Sequence, residues 1–403
     1  MTTPLLFLQR LFLPSRHGRV ALVGGTVRDM LLGIENQDID LVVALPHEEL
    51  CALGFRLVEP TSATTIYFKH HPEFGKLEVT RIDNMADLSS DLLRRDFTIN
   101  AMAMDLSGVR LDPLCGEEDL KAGVLRACSD HTFVDDPLRI FRAFRFEADG
   151  WRMAPETAAL IRKDDWSEQF CAMPVERFSG EMFKALARKV PERFFQRMID
   201  FNVGAEFLPE IFRMPTIPAG PPQHHPEGDL FTHSIQVLQR VAALSDDPLA
   251  RFCALFHDLG KLATDPALYP KHHGHDFAGF GMAAAFCTRL RLPATYRKGL
   301  AWTSSLHGKA NMWDGLRDST KITLAEQAIK GGIVTILPLV AAADKPGGLP
   351  MAGWDTVVRI AGMSTRELGV DQGNLEEMPV KNREAFILQK RVEALRETQA
   401  HAI

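Results

Sequence analysis

The chain has 403 residues, 46% of them hydrophobic, and a formal net charge of −6, enough for two or three globular domains with cores of their own. An acidic balance argues against a generic nucleic-acid coat, which would present a basic surface. The six cysteines (Cys51, Cys115, Cys128, Cys171, Cys253, Cys287) are widely separated with no C-x-x-C pair, so neither a zinc ribbon nor a disulfide framework is indicated, and a reducing cytoplasm fits.

The opening MTTPLLFLQRLFLPSRHGRV is broken by Gln9, Arg10 and Pro14. It is too short to span a bilayer, lacks a small-residue cleavage site and reads as an amphipathic lead-in helix. RVALVGG predicts a strand ending in two glycines, TVRDMLLG a short helix closed by Gly33, and DIDLVVA a second strand. FRLVE, TIYFKH and KLEVTRI follow as further strands. DLLRRDFTINAMAMD places Arg94, Arg95 and Asp96 ahead of an apolar helix, with Asp96 at the N-cap position. From FVDDPLRIFRAFRF onward the period is helical, through PETAALIRK, VERFSGEMFKALARK and ERFFQRMIDF. The proline- and glycine-rich MPTIPAGPPQHHPEGD then reads as a linker, and FTHSIQVLQRVAAL opens a second helical unit. The expected division is a head over 1–134, a helical neck and body over 135–213, a linker over 214–228 and a separate unit over 229–403. Beyond Gly348 the chain reads as closing helices without nameable chemistry.

In QDIDLVVA, side chains alternate along the strand, so Asp38 and Asp40 share a face while Ile39 points to the core. Two carboxylates held together raise each other's pKa, and a divalent cation between them removes the conflict; a solvated strand end is the bland alternative. Gly24 and Gly25 lie where a strand passes into a helix, so backbone N–H groups can meet a phosphate, with Arg28 within reach of the same anion. Together these make a triphosphate cradle beside a metal site, and metal-assisted nucleotidyl transfer follows, with two Mg²⁺ ions held by oxygen ligands. Glu78 in LEVTRI supplies a third carboxylate if its strand lies alongside; otherwise it is an ordinary strand acid. One arginine of the Arg94–Arg95 pair is placed to contact phosphate and Asp96 a ribose hydroxyl, against capping and a surface ion pair. In DDPLRIFRAFRF, Asp136, Arg139 and Arg142 recur at three-residue intervals on one helical face. Such a pair is a salt bridge or a base reader. A carboxylate beside a guanidinium matches the amino donor and ring-nitrogen acceptor of C and A and rejects U and G. Between Arg177 and Arg197, six basic residues (Arg177, Lys184, Arg188, Lys189, Arg193, Arg197) face two acids (Glu181, Glu192), a solvated helix face or an RNA-backbone contact.

GGTVRDMLLG, DID, LRRDFTINAMA, LDPLCGEEDL, DDPLRIFRAFRF and VERFSGEMFKAL, in this order, closely resemble the bacterial class II CCA-adding tRNA nucleotidyltransferases and their poly(A) polymerase relatives, over about residues 20–210. The resemblance implies an α+β chain: a five-stranded nucleotidyltransferase sheet with helices, then an all-helical neck and body. It implies CTP and ATP as substrates and the 3′ end of tRNA as acceptor. By motif position Asp38 and Asp40 are the catalytic metal ligands, Gly25 and Arg28 contact the triphosphate, Arg95 with Arg94 lies in the nucleotide site, and Asp136, Arg139 and Arg142 bind the incoming nucleotide. LDPLCGEEDL is the expected hinge between the C and A states. The family's usual Glu before the base-reading Asp is Asp135 here, which leaves the pairing chemistry intact.

In the last unit FTHS, FHDLGK and AAADKPG set out His233, His257, Asp258 and Asp344, the H…HD…D order of an HD-type site for a divalent transition metal. This segment resembles the HD domain appended to gammaproteobacterial-type CCA-adding enzymes. That implies an all-helical phosphohydrolase acting on 2′,3′-cyclic phosphates, 2′-nucleotides and phosphatase substrates, favoured by Ni²⁺. His272, His273, His275 and His307 are candidates for its outer shell or for substrate phosphate. The alternatives are a CC-adding or A-adding enzyme, a poly(A) polymerase, or a degenerate RNA-binding head with the HD unit as sole enzyme; intact Asp38 and Asp40 argue against the last. No membrane association is expected, and monomer and dimer both remain open.

Overall fold

In β1 (Val20–Val23) all four side chains are buried, as a strand covered on both faces requires. It ends at Gly24, whose φ of +65° turns the chain into the helix Gly25–Leu32, and that helix stops at Gly33 in the left-handed region. The computed structural model describes residues 3–35, 38–58, 65–345, 347, 348 and 350–400. β1 runs antiparallel to β2 (Ile39–Val43), pairing Leu22 with Leu41. β2 runs parallel to β5 (Gly75–Arg81) and sets Asp40 opposite Glu78. β4 (Thr65–His71) continues antiparallel beyond β5, and β6 (Ala103–Asp105) lies antiparallel on the other side of β1. The two-residue strands β3 (Arg56–Leu57) and β7 (Arg110–Leu111) form the edges, giving the order β3-β4-β5-β2-β1-β6-β7. On one face Ala21, Val23, Val42, Ala101 and Ala103 pack under Leu88 and Leu92 of the helix Leu88–Leu93.

The sheet thus has seven strands where five were expected. The pair that periodicity does not reveal, β6 and β7, hold three and two residues, too few to establish a period. AMAMD is also composed largely of good helix formers. The expected apolar helix after Asp96 is instead a short 3₁₀ turn, Thr98–Asn100, leading into β6, and Asp96 does not cap a helix. The helix Leu138–Ala148 buries Ile140, Phe141 and Phe144 as its pattern requires.

The chain divides into two compact units, Met1–Trp166 and Ser167–Ile403. The second is helical: Val175–Leu186, Glu192–Phe201, Leu230–Leu244, Pro248–Phe256, His275–Arg289, Ala294–Ala310, Asp318–Gly331 and Ile336–Asp344 are its main elements. Buried Arg251 knots it together. Its guanidinium donates to the carbonyls of Leu186, Arg188, Ser245 and Ala242 and to Asp246, so the 175–186 helix and the helices after residue 230 share one interior. Accordingly the proline-rich stretch 214–228 is internal to this unit. Met214, Ile217 and Ala219 are buried, and Ala219 N–H donates to Gly228 O while Leu230 N–H donates to Ile217 O. Among the described residues no single helix is long and apolar enough to cross a membrane.

Two candidate catalytic centres

The first centre forms where β1, β2 and β5 end. Thr26, buried in the first turn of the 25–32 helix, accepts from Asp40 N–H at 2.8 Å and donates to Asp38 O at 3.3 Å. This fixes the strand carrying the two aspartates against the glycine turn. Glu78 does lie alongside Asp40. Burial first, then the Glu78 carboxylate, raises the Asp40 pKa above its ordinary value, with Arg95 opposing. Gly24 has no room for a side chain, since a Cβ there would stand 2.6 Å from Arg95 Nη1 and 3.7 Å from Asp40 Oδ2. Arg95 is steadied by Asp91 at 3.1 Å, and Arg28 donates to Asn100 Oδ1 at 2.5 Å and lies over the Phe146 ring. Three carboxylates, two guanidiniums and a left-handed glycine therefore converge on one end of the sheet. An all-oxygen donor set of this kind suits a hard divalent cation, and the raised Asp40 pKa marks the charge conflict that such an ion relieves.

The second centre is built by four helices and a turn. His233 comes from the 230–244 helix, whose N-cap Asp229 accepts from Thr232 N–H. His257 and Asp258 follow the 248–256 helix, and Asp344 closes the 336–344 helix. His233 Nε2 lies 3.0 Å from Asp344 Oδ1 and 3.5 Å from Asp258 Oδ2; His257 Nε2 lies 3.3 Å and 3.2 Å from the same atoms. Both Nε2 atoms are buried without a hydrogen-bond partner, although buried polar atoms are nearly always satisfied. Lys261 sits 2.6 Å from Asp258 Oδ2 and donates to Ala219 O. Asn311 donates to Asp344 Oδ2. Burial disfavours charge on His257, but the neighbouring Asp258 and Asp344 outweigh it and push its pKa up to about 10. The Asp258 carboxyl is held well below its ordinary pKa: burial opposes this, but Lys261, His257 and His307 prevail. Two imidazoles and two carboxylates meeting at orphaned atoms fit a divalent transition metal.

Residues 59–126 match the model of the Poly A polymerase head domain, and residues 230–334 that of the HD domain. The multifunctional CCA protein of Methylococcus capsulatus is 37% identical over 342 residues, 80% of either chain. The chain belongs to the multifunctional CCA protein family. Another member, from Thioalkalivibrio sulfidiphilus, is 37% identical over 76% of this chain and 78% of its own. The fold is shared with the Thermotoga maritima CCA-adding enzyme complexed with tRNA, at a TM-score of 0.64 and 21% identity over 100% of this chain and 96% of that one.

Against the family pattern, the structure gathers Asp38, Asp40, Glu78, Gly25, Arg28 and Arg95 at one sheet end, while Arg94 is largely exposed with its guanidinium 4.0 Å from Asp91. Among the described residues, the sets of three His, Cys, Asp or Glu ligand atoms lying within 4.8 Å of one another all belong to the second unit; the head carboxylates are adjacent without closing on a point. Asp136 lies one turn ahead of the 138–148 helix and accepts from Leu138 N–H. Arg139 donates to the carbonyls of Thr132 and Arg94. Asp112, in the expected hinge, accepts from the N–H groups of Gly116 and Glu117. In the HD half, His272 spends both ring nitrogens on Thr264 Oγ1 and Pro218 O, and His273 is exposed. Sequence reasoning missed Glu227, Lys261, Asp276 and Asn311. Two left a trace: Lys261 lies three residues after Asp258, one helical turn away, and Asp276 completes a second His–Asp dipeptide.

Asp96 is buried. Its Oδ1 accepts from Phe97 N–H and Asn100 Nδ2, and its Oδ2 lies 3.1 Å from Arg142; through Asn100 it also holds Arg28. Burial opposes ionisation, yet Arg142, Asn100 and the Phe97 amide together lower its pKa. Asp96→Ala is expected to cost about 2 kcal/mol at pH 7, since Arg142 stays partly solvated and only hydrogen bonds to a charged group are lost. A depressed carboxyl pKa stabilises above the unfolded value of about 4 and ceases to do so as pH falls through the folded value. The gap between wild-type and variant urea midpoints should therefore close below pH 4.

Proposed function

We propose that the chain builds or repairs the CCA end of tRNA without a template, from CTP and ATP, and that its HD half is a metal-dependent phosphohydrolase. The reading rests on the Asp38–Asp40 pair, intact beside Glu78 and the Gly24 turn in a chain of this family. Residues 1–134 act as the nucleotidyltransferase head, 135–213 as neck and body with 214–228 connecting, and 229–403 as the HD half. In the head, Mg²⁺ held by Asp38 and Asp40, with Glu78 adjacent, supplies Lewis-acid activation of the attacking hydroxyl and neutralises the departing pyrophosphate. The terminal RNA hydroxyl oxygen bonds to the α-phosphorus, and the bond from that phosphorus to the bridging oxygen breaks. Gly24 keeps the approach open, the amides of Gly25 and its neighbours meet the triphosphate, and Arg28 and Arg95, with Arg94, orient it. Asp136 and Arg139 read the base edge, with Arg142 beside them. This requires Arg139 to leave the Thr132 and Arg94 carbonyls, a rearrangement suited to a pocket that serves C and then A.

In the HD half, His233, His257, Asp258 and Asp344 hold a divalent transition metal, Ni²⁺ being the favoured ion, which supplies an activated water for phosphoester hydrolysis. Lys261 balances the charge on Asp258. A cytoplasmic location suits a tRNA-repair enzyme.

Arg177, Lys184 and Lys189 are exposed on or just beyond the 175–186 helix, and this stretch is the tRNA-backbone contact. The triple change to glutamine should weaken tRNA binding and flatten the plot of log affinity against log salt by about 0.7–0.9 for each phosphate no longer neutralised; an unchanged slope places the RNA path elsewhere. The specificity itself is tested with tRNA lacking one, two or three terminal nucleotides, supplied with labelled CTP or ATP. A CCA enzyme extends all three acceptors. An A-adding enzyme extends only the first, a CC-adding enzyme never incorporates ATP, and a poly(A) polymerase adds long runs of A.

A further inference from the structure

The four histidines of the HD half share a pattern that one metal does not explain. His233 Nδ1 pairs with Glu227 Oε1 at 2.7 Å, His257 Nδ1 with Ala254 O at 2.8 Å, His275 Nδ1 with His272 O at 2.6 Å, and His307 Nδ1 with Ser304 O at 2.9 Å. Each partner is an oxygen acceptor, so each ring carries its proton on Nδ1 and turns a lone pair outward at Nε2. All four Nε2 atoms face carboxylate oxygens, and they do so in two separate sets. His233 and His257 face Asp344 Oδ1 and Asp258 Oδ2. His275 and His307 face the other oxygen of Asp258, Oδ1, at 3.4 and 3.3 Å, and Asp276 Oδ1 at 3.1 and 3.9 Å.

Acceptor facing acceptor is repulsive unless a cation lies between them. The second set carries its own sign of this: Asp258 Oδ1 and Asp276 Oδ1 are both buried without a hydrogen-bond partner. Lys261 reaches only Asp258 Oδ2, so it leaves Oδ1 unneutralised. Gly308 makes room for the carboxylate, since a Cβ there would stand 3.3 Å from Asp276 Oδ2. A cleft lined by His225, Lys261, His273 and His275 gives access from solvent.

We propose a second divalent-cation site, formed by Asp258 Oδ1, Asp276 Oδ1, His275 Nε2 and His307 Nε2 and joined to the first through the Asp258 carboxylate. It rests on the HD reading given above and extends it from one ion to two. Two imidazoles and two carboxylate oxygens suit a first-row transition ion such as Mn²⁺, Co²⁺ or Ni²⁺. A carboxylate giving one oxygen to each ion suits a pair about 3.5–4 Å apart, the spacing that clamps the attacking and departing oxygens of a phosphoester. Glu227 and the three backbone carbonyls are then positioning groups that fix the tautomer of every ligand.

The test counts Co²⁺ bound by the full chain after chelation, reloading and desalting, with Asp258→Ala as the reference that lacks both sites and leaves any ion in the head unchanged. Wild type should exceed the reference by two ions, and His307→Ala and His233→Ala by one each. Asp276→Asn, at a partly exposed and conservative position, carries the test if His307→Ala fails to fold, and should weaken the second ion about 10–100-fold. An excess of one in wild type that persists in His307→Ala and Asp276→Asn overturns the second site and leaves the single-metal reading standing. No excess in wild type overturns both.

Discussion

Asp40→Ala should reduce nucleotide incorporation into tRNA at least about 1000-fold, because the Lewis-acid contribution of a bound ion is several kcal/mol and each 1.36 kcal/mol is a factor of ten. Hydrolysis of a 2′,3′-cyclic phosphate by the HD half should stay within twofold of wild type, and Asp258→Ala should give the opposite split. The loss in Asp40→Ala should not be a folding defect. Asp40 is half-buried opposite Glu78, and its pKa is raised first by burial and then by Glu78. A carboxyl whose folded pKa lies above the unfolded value favours folding when protonated, and that advantage disappears as pH rises through the folded pKa. At pH 7 without cation the ionised group is therefore a burden, and the variant should unfold in urea at an equal or higher concentration than wild type. Mg²⁺ should no longer raise that midpoint. A variant that incorporates nucleotide normally, or loses both activities together, would contradict these roles.

Gly260→Ala should damage the HD half severely. A Cβ at Gly260 would lie 1.9 Å from His275 O and 2.5 Å from Gly279 N, both backbone atoms that cannot swing aside. The 3₁₀ turn Leu259–Ala263 would have to lift off the 275–289 helix. The cost should reach or exceed the upper end of ordinary overpacking, about 3 kcal/mol, and the shift would pull Asp258 from His275 and His307. Gly281, on the same helix, has nothing within 4 Å of its added Cβ. Gly281→Ala should therefore be neutral or stabilise by about 0.5–1 kcal/mol, as alanine does in a helix interior. Urea midpoints and cyclic-phosphate hydrolysis measured on both variants check the contrast, and equal behaviour of the two would show that the turn is not packed as described.

The features legible in the sequence are the local ones. The D-x-D strand, the glycine turn with Arg28, and the His–Asp pair followed by Leu-Gly-Lys each lie within a few residues, where periodicity and spacing speak directly. Pairings across long separations were not legible. Whether Glu78 stood beside Asp40 depended on a parallel β2–β5 register joining strands with β3 and β4 between them in the chain. Asp96 reads as a cap because AMAMD looks helical; the strand β6 there is decided by pairing with β1, a tertiary effect that outweighs local propensity. Glu227 is hidden in a proline-rich stretch that reads as a linker, though it holds His233. His275 and His307 are marked only as outer contacts, since nothing local says that helices beginning at His275 and Ala294 bring both rings to the free oxygen of Asp258.

The most direct measurement is incorporation of labelled CTP and ATP into tRNA lacking its last three nucleotides, by the purified wild-type chain, first with its divalent ions chelated and then with Mg²⁺ restored. The expected result is extension by three nucleotides and no more, seen only after Mg²⁺ is returned. No label at the RNA terminus under either condition would contradict the assignment of the paired aspartates as a nucleotidyl-transfer centre.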